Sequence, residues 1–172
     1  MLNQRETETL VHAFVTSRLD HCNSILYVVP EYQVAKLQTV QNSAARLVKR
    51  VKKYEHVTPL FIELHWLRIN QRILFKILLM VFKALNYQAP VYIRNLIHRY
   101  NPGVEGLRSS DPDLLLLRRE DTPTTTQTYG MRAFNIHAPI LWNSLPRDIR
   151  QAPDISAFKS RLQTHLFSNQ FQ

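Results

Sequence analysis

The sequence predicts a mainly α-helical protein: a bundle of four to five helices, an irregular segment with short strands, and a C-terminal helix. Three observations carry this expectation. Apolar residues recur at helical spacing through the first hundred positions. Pro30, Pro59 and Pro90 punctuate that stretch where new helices would begin. From Asn101 the texture changes, because Pro102, Gly103, Gly106, Pro112 and the Thr122-Pro123-Thr124-Thr125-Thr126 stretch are turn and loop residues. The expected division is a helical domain over 1–100 and a tail subdomain over 101–172.

Leu10, Phe14, Leu19 and Leu26, with Val11, Val15 and Cys22 beside them, predict a helix from about Thr7 to Tyr27. Glu31 to about Lys53 predicts a second, amphipathic helix. Leu37, Val40, Ala44, Leu47, Val48 and Val51 fall within about 100° of arc at 100° per residue, with Arg46, Lys49, Arg50 and Lys53 roughly opposite. Thr58 as N-cap and Pro59 at the first helical position predict a short third helix carrying Leu60, Phe61, Ile62 and Leu64. The fourth, from about Asn70 to Asn86, is apolar over most of its circumference and belongs at the centre of the bundle. Only Arg72, Lys76 and Lys83 give it a polar stripe. A short fifth helix follows Pro90 with Tyr92, Ile93, Leu96 and Ile97. Leu114 to Leu117 reads as a strand or a buried extended segment, and Thr128 to Ile136 as another. Ala138 to Leu145 predicts a short helix, Pro146 and Pro153 mark turns, and Ser156 would cap a last helix carrying Phe158, Leu162, Leu166 and Phe167.

Composition bounds the chemistry. At 172 residues and 45% hydrophobic, a compact chain buries about 70% of its unfolded surface and needs no disulfide or metal to hold it. Cys22 is the only cysteine, so no internal disulfide forms and no paired-thiol zinc site is present. Neighbouring His21 and Cys22 would point about 100° apart on a helix, which favours structural roles over a nucleophile and its base. The polar start, Met1 to Glu8, lacks the apolar run of a secretory signal, and the Ile73–Leu85 apolar stretch is interrupted by Lys76 and Lys83. An intracellular protein, nuclear or cytoplasmic and off the membrane, is expected. No cofactor is expected.

Net charge is +9 and unevenly placed: fourteen basic and six acidic residues through Tyr100, eight and seven after it. The first half is therefore where a polyanion would bind. Arg46, Lys49, Arg50, Lys52 and Lys53 crowd into eight positions with Glu55 as the only nearby carboxylate, and Tyr54 beside them is placed to stack on a base. Arg72 and Lys76 either flank the same groove or carry a buried helix to water on long stems. Trp66 and Trp142 read as core anchors.

Several phrases, taken in order, resemble the region that follows the palm in non-LTR retrotransposon reverse transcriptases of the jockey-like and chicken-repeat-like clades. They are Ser17-Arg18-Leu19-Asp20-His21-Cys22-Asn23-Ser24, Leu37-Gln38-Thr39-Val40-Gln41-Asn42-Ser43-Ala44-Ala45-Arg46-Leu47, and Leu64-His65-Trp66-Leu67. Arg72-Ile73-Leu74-Phe75-Lys76-Ile77, Lys83-Ala84-Leu85, Tyr129-Gly130-Met131-Arg132-Ala133-Phe134 and Ala138-Pro139-Ile140-Leu141-Trp142-Asn143-Ser144-Leu145-Pro146 continue it. The resemblance spans about Leu10 to Phe167, and its strength lies in order and spacing. It implies that 1–100 corresponds to the thumb, which grips template and nascent duplex, and that the remainder corresponds to the element's C-terminal tail. Tyrosine is more familiar where His21 stands. Proline is more familiar where Arg68 follows Leu67, so this chain adds a charge and gives up a rigid turn there.

The resemblance brings no catalytic centre with it. Polymerisation needs paired carboxylates holding two metal ions beside the primer end, and the chain has no Asp-Asp pair; Glu120-Asp121 lies in a polar stretch with no apolar strand before it. The expected function is thus non-catalytic: sequence-independent binding of RNA or an RNA–DNA duplex, with a palm domain in another chain as a further partner. Four phosphate contacts would give a log–log salt slope of about −3 to −4. The alternatives are a protein-interaction or self-associating module, and an element-derived fragment without a function of its own.

Overall fold

The computed structural model describes residues 2–100, 113–117 and 133–171. The chain is mainly α-helical. In order come α1 (Gln4–Val11), a π-helical turn (His12–Thr16), α2 (Ser17–Asp20), a 3₁₀ turn (Asn23–Leu26), α3 (Glu31–Lys49), α4 (Val57–Leu64) and α5 (Ile69–Leu85). They are followed by α6 (Val91–Arg94), α7 (Phe134–Asn143), α8 (Arg147–Arg150) and α9 (Ile155–Asn169). No helix of the described residues is long and apolar enough to cross a membrane. Two compact units form, Met1–Ile73 with Thr164–Gln172, and Leu74–Gln163. The division therefore falls inside α5 and α9. The change of texture at Asn101 lies at the edge of residues 101–112, outside the described residues.

The first helix starts earlier than apolar periodicity suggests. Asn3 caps it: Glu6 N–H donates to Asn3 Oδ1 at 2.8 Å, and Asn3 N–H donates back to Glu6 Oε2 at 2.7 Å. A turn of π-helix follows, so the expected single helix to Tyr27 becomes several short pieces. It ends at His21, whose backbone is extended, ahead of Cys22 in the left-handed region at φ 50°.

The chain's three glycines, Gly103, Gly106 and Gly130, all fall outside the described residues, and helix ends show the consequence. Arg50, His65 and Tyr87 take positive φ after α3, α4 and α5. Each is followed by an N–H that reaches back six residues inclusive: Val51 to the Arg46 carbonyl (3.1 Å), Trp66 to Phe61 (3.0 Å) and Gln88 to Lys83 (2.8 Å). These are Schellman closures built without glycine. Arg50 therefore stops α3 at Lys49, short of the expected Lys53. Val28 also sits at φ 64°, where a β-branched side chain is strained. It is exposed, so Val28→Gly should stabilise the protein by about 1 kcal/mol, seen as a higher thermal midpoint. A lower midpoint would contradict the strain.

In the first unit, Ala44, Ala45 and Val48 of α3 pack with Val11, Leu60, Phe61 and Trp66. Phe61 and Trp66 meet edge to face at 6.2 Å, so Trp66 is the expected core anchor. The inward face of α3 is Val34, Gln41, Ala44, Ala45 and Val48, about 60° around the helix from the expected arc at 100° per residue. Val40 and Leu47, expected inside, are 48% and 62% exposed. Gln41 accounts for the rotation: its Nε2 donates to the buried-side carbonyl of Leu67 at 2.8 Å. Gln38 adds a second tie, its Oε1 accepting the Ile69 N–H at 3.0 Å. Where proline is more familiar, Arg68 supplies an N–H that donates to Gln170 Oε1 at 3.0 Å, while Gln170 Nε2 donates to the Trp66 carbonyl at 3.2 Å. The path from Trp66 into α5 is thus fixed by side-chain amides instead of a pyrrolidine ring.

Other boundaries shift for local reasons. α4 begins after His56, so Pro59 is its third residue, where the missing N–H still costs no helical bond. Thr58, expected as the cap, instead accepts from Arg68 Nη2 at 3.1 Å. Asp154, not Ser156, caps α9: its Oδ1 accepts the Ser156 and Ala157 N–H groups at 2.7 and 2.8 Å.

In the second unit Phe158 stacks on Phe82 (centroids 4.3 Å) and on Trp142 (5.8 Å). Trp142 is buried and its Nε1 donates to the Asp113 carbonyl at 2.8 Å. Leu114 to Leu117 forms no strand; a single antiparallel bridge joins Leu115 to Arg99. The Asn143 carboxamide takes the place of a further strand, accepting from Leu115 N–H (2.8 Å) and donating to its carbonyl (2.9 Å). Of the expected extended segment Thr128 to Ile136, residues 128–132 lie outside the described residues, and Phe134 to Ile136 are already in α7.

Candidate nucleic-acid interface

The eight residues expected to meet nucleic acid divide into those used by the fold and those left open. Rotation of α3 brings Lys49 to the flank of the buried face, where its Nζ pairs with Glu63 Oε2 at 2.6 Å and only 19% of the side chain is exposed. Arg46 Nε and Nη2 both donate to the Glu55 carbonyl, at 3.2 and 3.1 Å. That fork pins the far end of the 50–55 turn to α3. Arg72 grips Asp20 with two nitrogens, Nε on Oδ1 at 2.7 Å and Nη2 on Oδ2, with 18% of its side chain exposed. Lys76 is exposed, but it belongs to the second unit.

What stays open is the turn itself. Arg50 is exposed, and its Nη2 donates to the Leu2 carbonyl, leaving other guanidinium donors for a ligand. Lys52 and Lys53 are exposed, and among the described residues their side chains have no ion pair or hydrogen bond. Tyr54 is 90% exposed, its ring without an aromatic or cationic neighbour among the described residues. Three cations and one bare aromatic ring thus stand on four of five consecutive positions, held from behind by Arg46.

No family model, curated protein or solved structure matches this chain. The functional reading therefore rests on this geometry and on the sequence phrases. Among the described residues no group of three or more His, Cys, Asp or Glu is placed to hold a metal ion.

Sequence reasoning missed an apolar groove in the first unit. Leu2, Leu10, Phe14 and Leu47 line an open space of about 660 Å³ with Arg50 at its rim. Phe14 is 72% exposed. The signal was available only in part: Leu10 and Phe14 follow the apolar period, but the π-helical turn and the rotation of α3 direct them and Leu47 outward.

Proposed function

We propose that this chain is a non-catalytic piece of a retrotransposon reverse transcriptase that binds RNA or an RNA–DNA duplex without reading sequence. The observation that carries this reading is the open turn Arg50–Tyr54, with Lys52 and Lys53 unpaired among the described residues and an exposed tyrosine. Cations without carboxylate partners keep their full attraction for phosphate, and phosphate contacts are blind to sequence. Tyr54 adds a stacking face for an unpaired base. The order of sequence phrases supports the family origin. Because Arg46, Lys49 and Arg72 are engaged inside the fold, fewer contacts remain than the sequence suggests. Three cations on a single strand give a log–log salt slope of about −2. Titration of a mixed-sequence RNA oligonucleotide at several salt concentrations reads that slope; a flat response would overturn the reading.

A second reading is favoured by the apolar groove at Leu10, Phe14 and Leu47. Exposed apolar surface of this kind marks contact with another protein, either a second copy of the chain or a reverse-transcriptase palm. Self-association would appear as an elution volume that falls with concentration, abolished by Phe14→Glu with Leu47→Glu. Concentration-independent elution as a monomer would remove the second copy from consideration.

A further inference from the structure

The apolar groove of the first unit lies between α1, with the π-helical turn after it, and the outer side of α3. Val11 is buried at its floor, and Leu10, Phe14 and Leu47 stand exposed along it. The stripe of α3 on this side is longer than the groove. Lys36, Val40, Ser43, Leu47 and the capping Arg50 fall within about 80° of arc at 100° per residue, and all five are exposed. The stripe is apolar or small in the middle and cationic at both ends, which are about 21 Å apart at 1.5 Å per residue. On the other wall, Arg18 of α2 comes four residues after Phe14, one turn further on, and is also exposed. Among the described residues the side chains of Arg18 and Lys36 have no ion pair or hydrogen bond, and Arg50 gives one nitrogen to the Leu2 carbonyl. The acids of these elements are occupied or turned away. Glu6 caps α1 through Asn3, Glu8 pairs with His12 at 3.6 Å, and Asp20 holds Arg72. Glu31, the acid of α3, lies about 140° around the helix from Lys36. Each unpaired charge on the two walls is therefore a cation.

Granted that the groove meets another protein, the reading on which this inference rests, we propose that its occupant is an acidic amphipathic helix of about four turns. A ridge of apolar side chains at helical spacing fills a groove between two helices. Carboxylates beside that ridge meet Arg18, Lys36 and Arg50, which set its charge and its register. A second copy of the chain is disfavoured, because a two-fold contact brings the same cations face to face. A bilayer is disfavoured as well, because Val11 lies at the bottom of a hollow, which a ridge of side chains reaches and a flat surface does not.

Fluorescence anisotropy of the full chain with three labelled synthetic helices of that length tests it. The first carries leucines at helical spacing flanked by glutamates, the second has lysines in place of the glutamates, and the third alanines in place of the leucines. The first should bind, and the other two at least about tenfold more weakly. Arg18→Glu with Lys36→Glu should reverse the preference, the lysine peptide gaining about tenfold over its affinity for wild type. A reversed preference cannot arise from a variant that fails to fold. Equal binding of the glutamate and lysine peptides would overturn the proposed partner while leaving the groove as a protein contact. No binding by any of the three up to about 1 mM would overturn both. Sedimentation with phosphatidylserine vesicles supplies the rival outcome. Vesicle binding that Phe14→Ala with Leu47→Ala abolishes, with no peptide bound, would assign this face to a membrane and overturn the proposal.

Discussion

Phe158→Ala should cost about 3–5 kcal/mol of stability. Phe158 is fully buried, and both of its ring neighbours, Phe82 and Trp142, stack on it. Truncation removes the transfer free energy of the ring and leaves a cavity between two large rigid groups that cannot easily close. Since domains of ordinary size are stable by only about 5–15 kcal/mol, the variant should be close to unfolding at ambient temperature. Denaturant melting followed by near-ultraviolet circular dichroism, which reports on Trp142, measures it. Phe14→Ala supplies the control: at 72% exposure it should change stability by no more than about 0.5 kcal/mol. A loss below about 1 kcal/mol for Phe158→Ala would mean that this aromatic stack does not hold the second unit together.

Lys52→Glu with Lys53→Glu should weaken RNA binding by about 30-fold or more at low salt. Two phosphate contacts of roughly 1 kcal/mol each are lost, and two like charges then face the strand. The fold should be untouched, because both side chains are exposed and unpaired among the described residues. Circular dichroism and the thermal midpoint check that assumption. Lys49→Ala should leave binding within a factor of about two at the same salt, because its ammonium already faces Glu63. Equal losses for the two variants would place the interface on the helix face and not on the turn.

Long elements were legible because periodicity is a local property. The fourth helix was expected over Asn70–Asn86 and runs Ile69–Leu85, and both tryptophans proved to be core. Endings were harder. Sequence signals for helix termination lean on glycine, and here Arg50, His65 and Tyr87 take the left-handed position instead. The rotation of α3 was hidden because a glutamine turned inward: Gln41 is buried because a carbonyl of Leu67, far along the chain, needs a donor. Nothing in residues 31–53 announces that need.

The candidate interface was legible as a region but not as a set. Counting local carboxylates finds only Glu55 near the basic cluster, yet carboxylates from elsewhere neutralise one of its members, and Arg72 on the next long helix as well. Glu63 on α4 takes Lys49, and Asp20 at the end of α2 takes Arg72 across 52 residues of sequence. Charge density along a chain measures potential partners for a polyanion; tertiary pairing decides how many remain available. The part that survived, Arg50 to Tyr54, is the part that leaves the helix, where no element among the described residues brings a carboxylate to it.

The salt dependence of binding to a single-stranded RNA, wild type beside Lys52→Glu with Lys53→Glu, bears most directly on that turn. The wild-type slope should be about −2 and the variant's about −0.7, since one cation remains. Two parallel lines of equal slope would contradict it, because the phosphates would then be meeting other residues.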